Sequence, residues 1–236
     1  MAGKGIQKLR AAGVEVMTGI LEKECIELNK RFFTFHEKFR PYIILKWAQS
    51  INGKIGKANE RIFISNDISN RLVHKWRSEE AAILVGTNTA LSDNPLLTTK
   101  LWPGKNPVRI VIDKKLQLPL PLNVFNDESK TIILNLIKNL TEENLIYTKL
   151  EEENFPEQLV HTLFEMNIQS VLVEGGAKTL QSFIDNDLWD EARVITNQEL
   201  IIENGIAAPQ MKNFKLEKQE RYFSDAINYF KRQVTS

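Results

Sequence analysis

The stretch from Ser170 to Leu180 reads S-V-L-V-E-G-G-A-K-T-L and limits what the rest of the chain can be. It opens on a short apolar run, Val171-Leu172-Val173, of the kind shown by a parallel strand buried on both faces. Glu174 stands at the carboxyl end of that run. Gly175-Gly176 follow, and Ala177-Lys178-Thr179-Leu180 begin a helical pattern that continues through Phe183-Ile184. Strand, Gly-Gly turn and helix start form a phosphate-cradling order. Glycines let the backbone approach an anion, and the free N–H groups and dipole of a helix N-terminus favour negative charge. A Gly pair alone is more often only a turn, so the weight falls on the rest of the chain.

Other apolar runs end in the same way. Pro41–Ser50, Ala82–Val85 and Pro107–Asp113 read as strands, as do Lys130–Asn135 and Trp189–Thr196. Helices are predicted from Asn66 or Ser69 to about Glu80, over Pro156–Asn167, and over Ala177–Asn186. Residues 54–62 and 88–100 read as loops, and 136–153 carries no clear periodicity. Phe214–Glu217 and Ala226–Arg232 read as two late strands with no helix between them, an antiparallel edge on a mostly parallel sheet. Ala226–Arg232 is expected to be exposed and able to pair with another chain. The expected class is α/β, a mixed, mostly parallel sheet with helices on both faces. Four strand ends then carry ligand-suited groups: Lys46 to Ser50, Gly86 to Asp93, Asp113-Lys114, and Glu174 to Thr179. Brought to one sheet edge, they make the Gly-Gly turn an expected nucleotide site. Lys46 is either at a strand end with its amine in water or held in a site. Arg77 is either a solvated helix charge or a ligand.

Composition narrows the chemistry. A net charge of +1 over 236 residues argues against a nucleic-acid surface. Cys25 is the only cysteine, so no internal disulfide and no Cys-rich zinc site can form. No apolar run approaches membrane length, the N-terminus shows no apolar core of a signal peptide, and a reducing cytoplasm is expected. His36, His74 and His161 show no metal-ligand spacing, and His74 reads as a surface helix residue. G-x-S-x-G, Walker A and G-x-G-x-x-G sequences are absent. Lys46, Arg77, Lys100 and Glu174 remain, a set suited to a cofactor that does the chemistry while the protein orients it.

Four ordered motifs carry a family resemblance. Arg40 to Gly53 (R-P-Y-I-I-L-K-W-A-Q-S-I-N-G) resembles the R-P-x-V-x-x-K-x-A-x-S-x-D-G opening of the riboflavin-biosynthesis reductases. Gly86 to Thr98 resembles their G-x-x-T-x-x-x-D-x-P-x-L-T, and Arg109–Asp113 and Val173–Gly176 follow in order. The resemblance implies a dihydrofolate-reductase-like fold over residues 40–236. It also implies NADPH-dependent reduction of the ribosyl group of 5-amino-6-(5-phosphoribosylamino)uracil, with hydride reaching the sugar C1. It implies NADPH contacts from Ala48, Phe63, Thr89, Asp93, Lys114 and the turn Gly176, Ala177, Lys178, Thr179, Leu180. The implied substrate contacts are Lys46, Arg77, Leu97, Lys100 and Glu174, with Lys46 and Glu174 catalytic and Arg77 and Lys100 on the phosphate. A homodimer through the reductase sheet is implied as well.

Residues 1–39 resemble the C-terminal remnant of a cytidine-deaminase-like domain without its zinc-binding signatures. This chain is therefore expected to hold no metal and to be the reductase portion of a bifunctional parent, whose zinc sits elsewhere. The chain departs from the family pattern at Asn52, where Asp is usual. It departs again at Arg61-Ile62-Phe63, where Ser-x-Trp is common, and at Lys100, where Arg is common. Two other readings stay open: a dihydrofolate-reductase-like enzyme with another substrate, which would not need the phosphate pair Arg77 and Lys100, and a non-catalytic nucleotide-binding module.

Overall fold

The computed structural model describes residues 3–57, 60 and 62–233; Arg61 therefore lies outside the described residues. The chain runs α1 Lys4–Ala11, α2 Glu22–Leu28, α3 Lys30–Lys38, β1 Tyr42–Ser50, β2 Lys54–Gly56, α4 Asp67–Glu79, β3 Ala82–Gly86, α5 Thr87–Asp93 and β4 Val108–Ile112. It continues β5 Thr131–Asn135, β6 Leu140–Thr141, β7 Leu145–Lys149, α6 Phe155–Glu165, β8 Ser170–Gly175, α7 Ala177–Asp185, β9 Glu191–Asn197, β10 Ile206–Ala207, β11 Phe214–Tyr222 and β12 Asp225–Arg232.

Among the described residues, ten strands form one sheet in the order β11-β12-β9-β1-β8-β3-β4-β5-β7-β6, and β2 pairs with β10 beside it. The seven strands from β9 to β7 are mutually parallel. The outer pairings β11–β12, β12–β9 and β6–β7 are antiparallel. The central strands are buried on both faces, which is why they read as unbroken apolar runs. Ile43, Leu45, Val171 and Val173 face α6 and α7, through Leu159, Leu163, Leu180 and Phe183. Ile44 and Leu172 face α4 through Val73 and Trp76. Ile83, Val85 and Val111 face Ala90 of α5 and Leu97. Each such aliphatic side chain, fully buried, contributes about 1.5–3 kcal/mol. Helices thus cover both faces, as expected. The carboxyl ends of β1, β8, β3 and β4, neighbours in the sheet, lie along one edge.

Several elements differ from expectation. Val14-Glu15-Val16 alternates as a short strand would, but it forms none, because it is largely exposed and has no strand to pair with among the described residues. Cys25, Leu28 and Phe32 have the spacing of one helix over Glu22–Phe33, but the structure has two, broken at Asn29. Residues 88–93 are helical within α5, the loop expected over 54–62 contains β2, and the unassigned 136–153 contains β6 and β7. β12 is an interior strand, paired with β9 on one side and β11 on the other, so the edge on that side of the sheet is β11.

Of the N-terminal helices, α1 and α2 bury no side chain, and Met17 and Leu28 are largely exposed. By contrast, α3 docks on the body. Its Phe35 packs on Phe164 of α6 with ring centroids 4.7 Å apart, Arg31 forks onto the buried Glu80, and Lys30 meets Glu191 at 2.9 Å. Arg40 forks onto Asp190 at 2.6 and 2.8 Å. Burial would raise the Asp190 carboxyl, but Arg40 outweighs it and holds that carboxyl low.

Candidate active site

β1 and β8 run in parallel register with Leu45 opposite Val173, which brings Lys46 beside Glu174. α4 supplies the third member. Asn66 caps this helix, accepting from the Ser69 N–H at 3.0 Å, and Val73 and Trp76 seat it on the sheet. Arg77 then lies one position past Trp76, at the rim of that contact. Its Nε and Nη2 donate to Oε1 and Oε2 of Glu174, both at 2.7 Å, and its Nη1 donates to the Thr98 carbonyl at 3.2 Å. Lys46 Nζ stands 3.6 Å from Glu174 Oε2.

All three side chains are mostly buried. Burial would push the Glu174 carboxyl up, yet Arg77 and Lys46 outweigh it and hold it at about 2. Burial lowers the Lys46 ammonium, with Arg77 adding to the effect and Glu174 opposing it. The centre is two cations sharing one carboxylate, and of the two it is the Lys46 ammonium that burial makes more acidic than in water.

The turn after β8 is built for a close approach. The Gly175–Gly176 peptide is cis, and Gly175 has φ 138°, a conformation that favours glycine. A Cβ on Gly86, at the end of β3, would lie 2.5 Å from Thr179 Oγ1. A Cβ on Gly176 would lie 3.2 Å from Thr89 Oγ1. Gly176, Ala177, Lys178, Thr179 and Leu180 therefore form a glycine cradle at the N-terminus of α7, faced by Thr89 of α5. Among the described residues no side chain caps α7. Its first N–H groups are free for a pyrophosphate, and the cradle fits the nicotinamide dinucleotide that the resemblance implies.

The remaining expected residues are distributed around this centre. Leu97 is buried, and the next residue, Thr98, supplies the carbonyl that Arg77 uses. Ala48 is partly buried on β1. Phe63 is exposed before α4, and Asp93 is exposed at the end of α5. Lys100 is exposed, 3.9 Å from Glu128. Lys114 follows β4, 2.6 Å from Glu152 and over the Phe155 ring. Arg77, expected on a phosphate, has three of its five N–H donors engaged within the protein.

Asn52 explains its own departure from the pattern. Its Nδ2 donates to the Ile202 carbonyl at 3.1 Å while its Oδ1 accepts from Ile202 N–H and Ser50 Oγ. An aspartate could not donate there.

His74 is not the surface residue expected. It lies one helical turn before Arg77 and is partly buried, and its Nδ1 is buried with no hydrogen-bond partner among the described residues. Burial lowers its proton affinity, with Arg77 adding to the effect, so the ring is neutral. The i, i+3 spacing from Arg77 was the available signal.

A family profile described as the RibD C-terminal domain matches residues 41–201. The riboflavin biosynthesis protein RibD of Aquifex aeolicus (strain VF5) is 36% identical over 247 aligned positions, covering 98% of this chain and 69% of that protein. The crystal structure of a diaminohydroxyphosphoribosylaminopyrimidine deaminase/5-amino-6-(5-phosphoribosylamino)uracil reductase from Thermotoga maritima is 29% identical with a TM-score of 0.87. That match covers 98% of this chain and 67% of that one. At the level of fold alone, dihydrofolate reductase from Enterococcus faecalis in complex with NADP(H) matches with a TM-score of 0.54 at 12% identity, over 82% of this chain and 97% of that one. This chain thus spans about two thirds of the Aquifex and Thermotoga proteins. Fold, ordered motifs and profile agree: the chain belongs to the RibD C-terminal domain family, the pyrimidine reductases of riboflavin biosynthesis.

Proposed function

We propose that this chain reduces the ribosyl group of 5-amino-6-(5-phosphoribosylamino)uracil to the ribityl group with NADPH. The observation that carries this reading is the buried Lys46–Arg77–Glu174 centre beside the glycine cradle, the two meeting at the carboxyl end of β8. A bound nicotinamide supplies the hydride. In the balanced reaction the bond from sugar C1 to the ring oxygen breaks, C1 gains the hydride, and the oxygen takes a proton and becomes a hydroxyl.

Lys46, made more acidic by burial, is the group we assign to deliver that proton. Glu174 keeps the Lys46 ammonium aimed, and Arg77 fixes the rotamer of Glu174. The phosphate falls to the spare donors of Arg77 and to Lys100. Ala48, Phe63, Thr89, Asp93 and Lys114 complete the cofactor site in this reading, with the α7 N-terminus on the pyrophosphate.

We also infer a homodimer through the sheet, for which the exposed edge strand β11 is the suited surface. A deaminase-like origin for residues 1–39 accords with α1 and α2 burying nothing. Among the described residues no helix is long and apolar enough to cross a membrane, and we place the protein in the cytoplasm.

The test is NADPH oxidation at the nicotinamide absorbance band with the deaminated substrate. The still-aminated pyrimidine and NADH are run beside it. Turnover confined to the deaminated pyrimidine supports the reading, and turnover only with the aminated one would overturn the substrate assignment. Binding without turnover would favour the non-catalytic module.

A further inference from the structure

We propose that Asn106 is a positioning residue for the phosphate end of the substrate, acting through the peptide that joins Thr98 to Thr99. This rests on the reductase reading above, which gives the phosphate to Arg77 and Lys100. That peptide is held from both sides. Its carbonyl, on Thr98, accepts from Arg77 Nη1 at 3.2 Å. Its N–H, on Thr99, donates to Asn106 Oδ1 at 3.0 Å. The Thr99 hydroxyl lies 3.0 Å from the same Oδ1 and 3.4 Å from the Gly104 carbonyl. Asn106 therefore sets the plane of the peptide whose other side holds Arg77. Lys100 is the next residue, so its main chain starts from the same anchor.

The loop that carries these residues is seated on α4 beside Arg77. A Cβ on Gly104 would lie 2.5 Å from Ser78 Cβ, and Lys75 Nζ stands 5.5 Å from the centre of the Trp102 ring. Asn106 closes the loop by bonding back to Thr99. Its Nδ2 reaches outward and donates to the Glu128 main-chain carbonyl at 3.2 Å. The Glu128 carboxylate is in turn 3.9 Å from Lys100 Nζ, too long for a hydrogen bond, so an incoming phosphate can draw that ammonium away.

Glu174 takes Nε and Nη2 of Arg77, and the Thr98 carbonyl takes one N–H of Nη1. One N–H on Nη1 and one on Nη2 are left over. A phosphate ester presents several acceptor oxygens, which suits two adjacent N–H donors and a nearby ammonium. The Thr98 carbonyl holds the guanidinium edge that Glu174 does not. A Thr98–Thr99 peptide free to turn would release that edge and the start of Lys100 together. Asn106 is itself exposed, so replacing it opens no core.

The experiment is calorimetric binding of 5-amino-6-(5-phosphoribosylamino)uracil and of its dephosphorylated counterpart to the full chain. It is run at about 0.15 M ionic strength, where exposed charges are screened, with NADPH turnover measured beside it. Asn106→Leu removes the acceptor at nearly constant size. Asn106→Asp keeps the acceptor toward Thr99 and loses only the donor toward Glu128. The wild-type chain is expected to prefer the phosphorylated pyrimidine. Asn106→Leu is expected to cut that preference about five- to tenfold, the worth of a hydrogen bond or so, with the loss confined to the phosphorylated pyrimidine. Asn106→Asp is expected to restore most of it. On a Lys100→Ala background Asn106→Leu is expected to cost less, because both act on one phosphate.

A purely structural Asn106 predicts equal losses for both pyrimidines, and that result would overturn the inference. So would an unchanged preference in Asn106→Leu, equal losses in Asn106→Leu and Asn106→Asp, full additivity with Lys100→Ala, or a wild-type chain indifferent to the phosphate. The expected binding pattern with no turnover on NADPH would sink the reductase reading and leave the Asn106 assignment standing.

Discussion

Replacing Glu174 by glutamine keeps the size and one acceptor of the side chain but removes the charge shared by Arg77 and Lys46. The cost follows from proton linkage. Glu174 titrates at about 2 when folded, against 4.5 ordinarily. A folded-state value below the unfolded one stabilises the protein above pH 4.5, and that contribution is lost as pH falls toward 2. Its size is about 3 kcal/mol at neutral pH, at about 1.36 kcal/mol for each tenfold change in proton affinity. Breaking a buried ion pair from one side costs about 3–5 kcal/mol on general grounds, in the same range. By pH 3 the wild-type contribution is down to roughly 1–2 kcal/mol, so the two chains converge. The assay is urea unfolding of wild type and Glu174→Gln at pH 7, 5, 4 and 3. A gap of about 3 kcal/mol that narrows below pH 4.5 is expected. A gap under about 1 kcal/mol at pH 7, or one that does not change with pH, would refute the picture of an ionised carboxylate held by two buried cations.

Three further changes probe other parts of the fold. Gly86→Ala puts a methyl 2.5 Å from Thr179 Oγ1 and must displace the cradle; NADPH affinity, followed by its fluorescence, is expected to fall about tenfold, near 1.4 kcal/mol, with pyrimidine affinity unchanged. Arg109→Met leaves the carbonyls of Asn123, Val124 and Asn126 without the guanidinium that ties them to β4; a loss of about 3 kcal/mol is expected in chemical denaturation. Arg31→Met removes the guanidinium fork from the buried Glu80, leaving it Arg193 at 3.9 Å, and loosens α3; limited proteolysis should cut near residue 30 several times faster while the reductase body resists.

The sheet was legible because its central strands are buried on both faces. Ile43-Ile44-Leu45 and Val171-Leu172-Val173 need no alternation and appear as plain apolar runs. The Gly-Gly turn was legible because the residues on either side change period from strand to helix. The elements that the pattern hides are short or half-exposed. β6 and β7 are at the sheet's edge, where one-sided burial blurs the pattern. α5 is rich in Thr, Asn and Ser, poor helix formers that locally suggest a loop. Its helix is fixed by Ala90 in the core and by Thr87 Oγ1 donating to the Ile112 carbonyl at 2.6 Å, contacts no local pattern reveals.

The site was half legible. Lys46 and Glu174 follow from strand ends, but the Arg77–Glu174 fork joins residues 97 positions apart. His74 reads as surface because its neighbours in sequence do not show which rim of α4 meets the strand ends. With Val73 and Trp76 facing the sheet, His74 and Arg77 fall together at the edge of that contact.

The central claim is that this chain delivers hydride to the sugar carbon held at Lys46 and Glu174. The most direct measurement uses NADPH deuterated at the transferable C4 position, with the ribitylamino product examined by mass spectrometry and NMR. One deuterium per product, located on C1 of the ribityl chain, is the predicted result. Product without deuterium, or with it on the pyrimidine ring, would contradict the account.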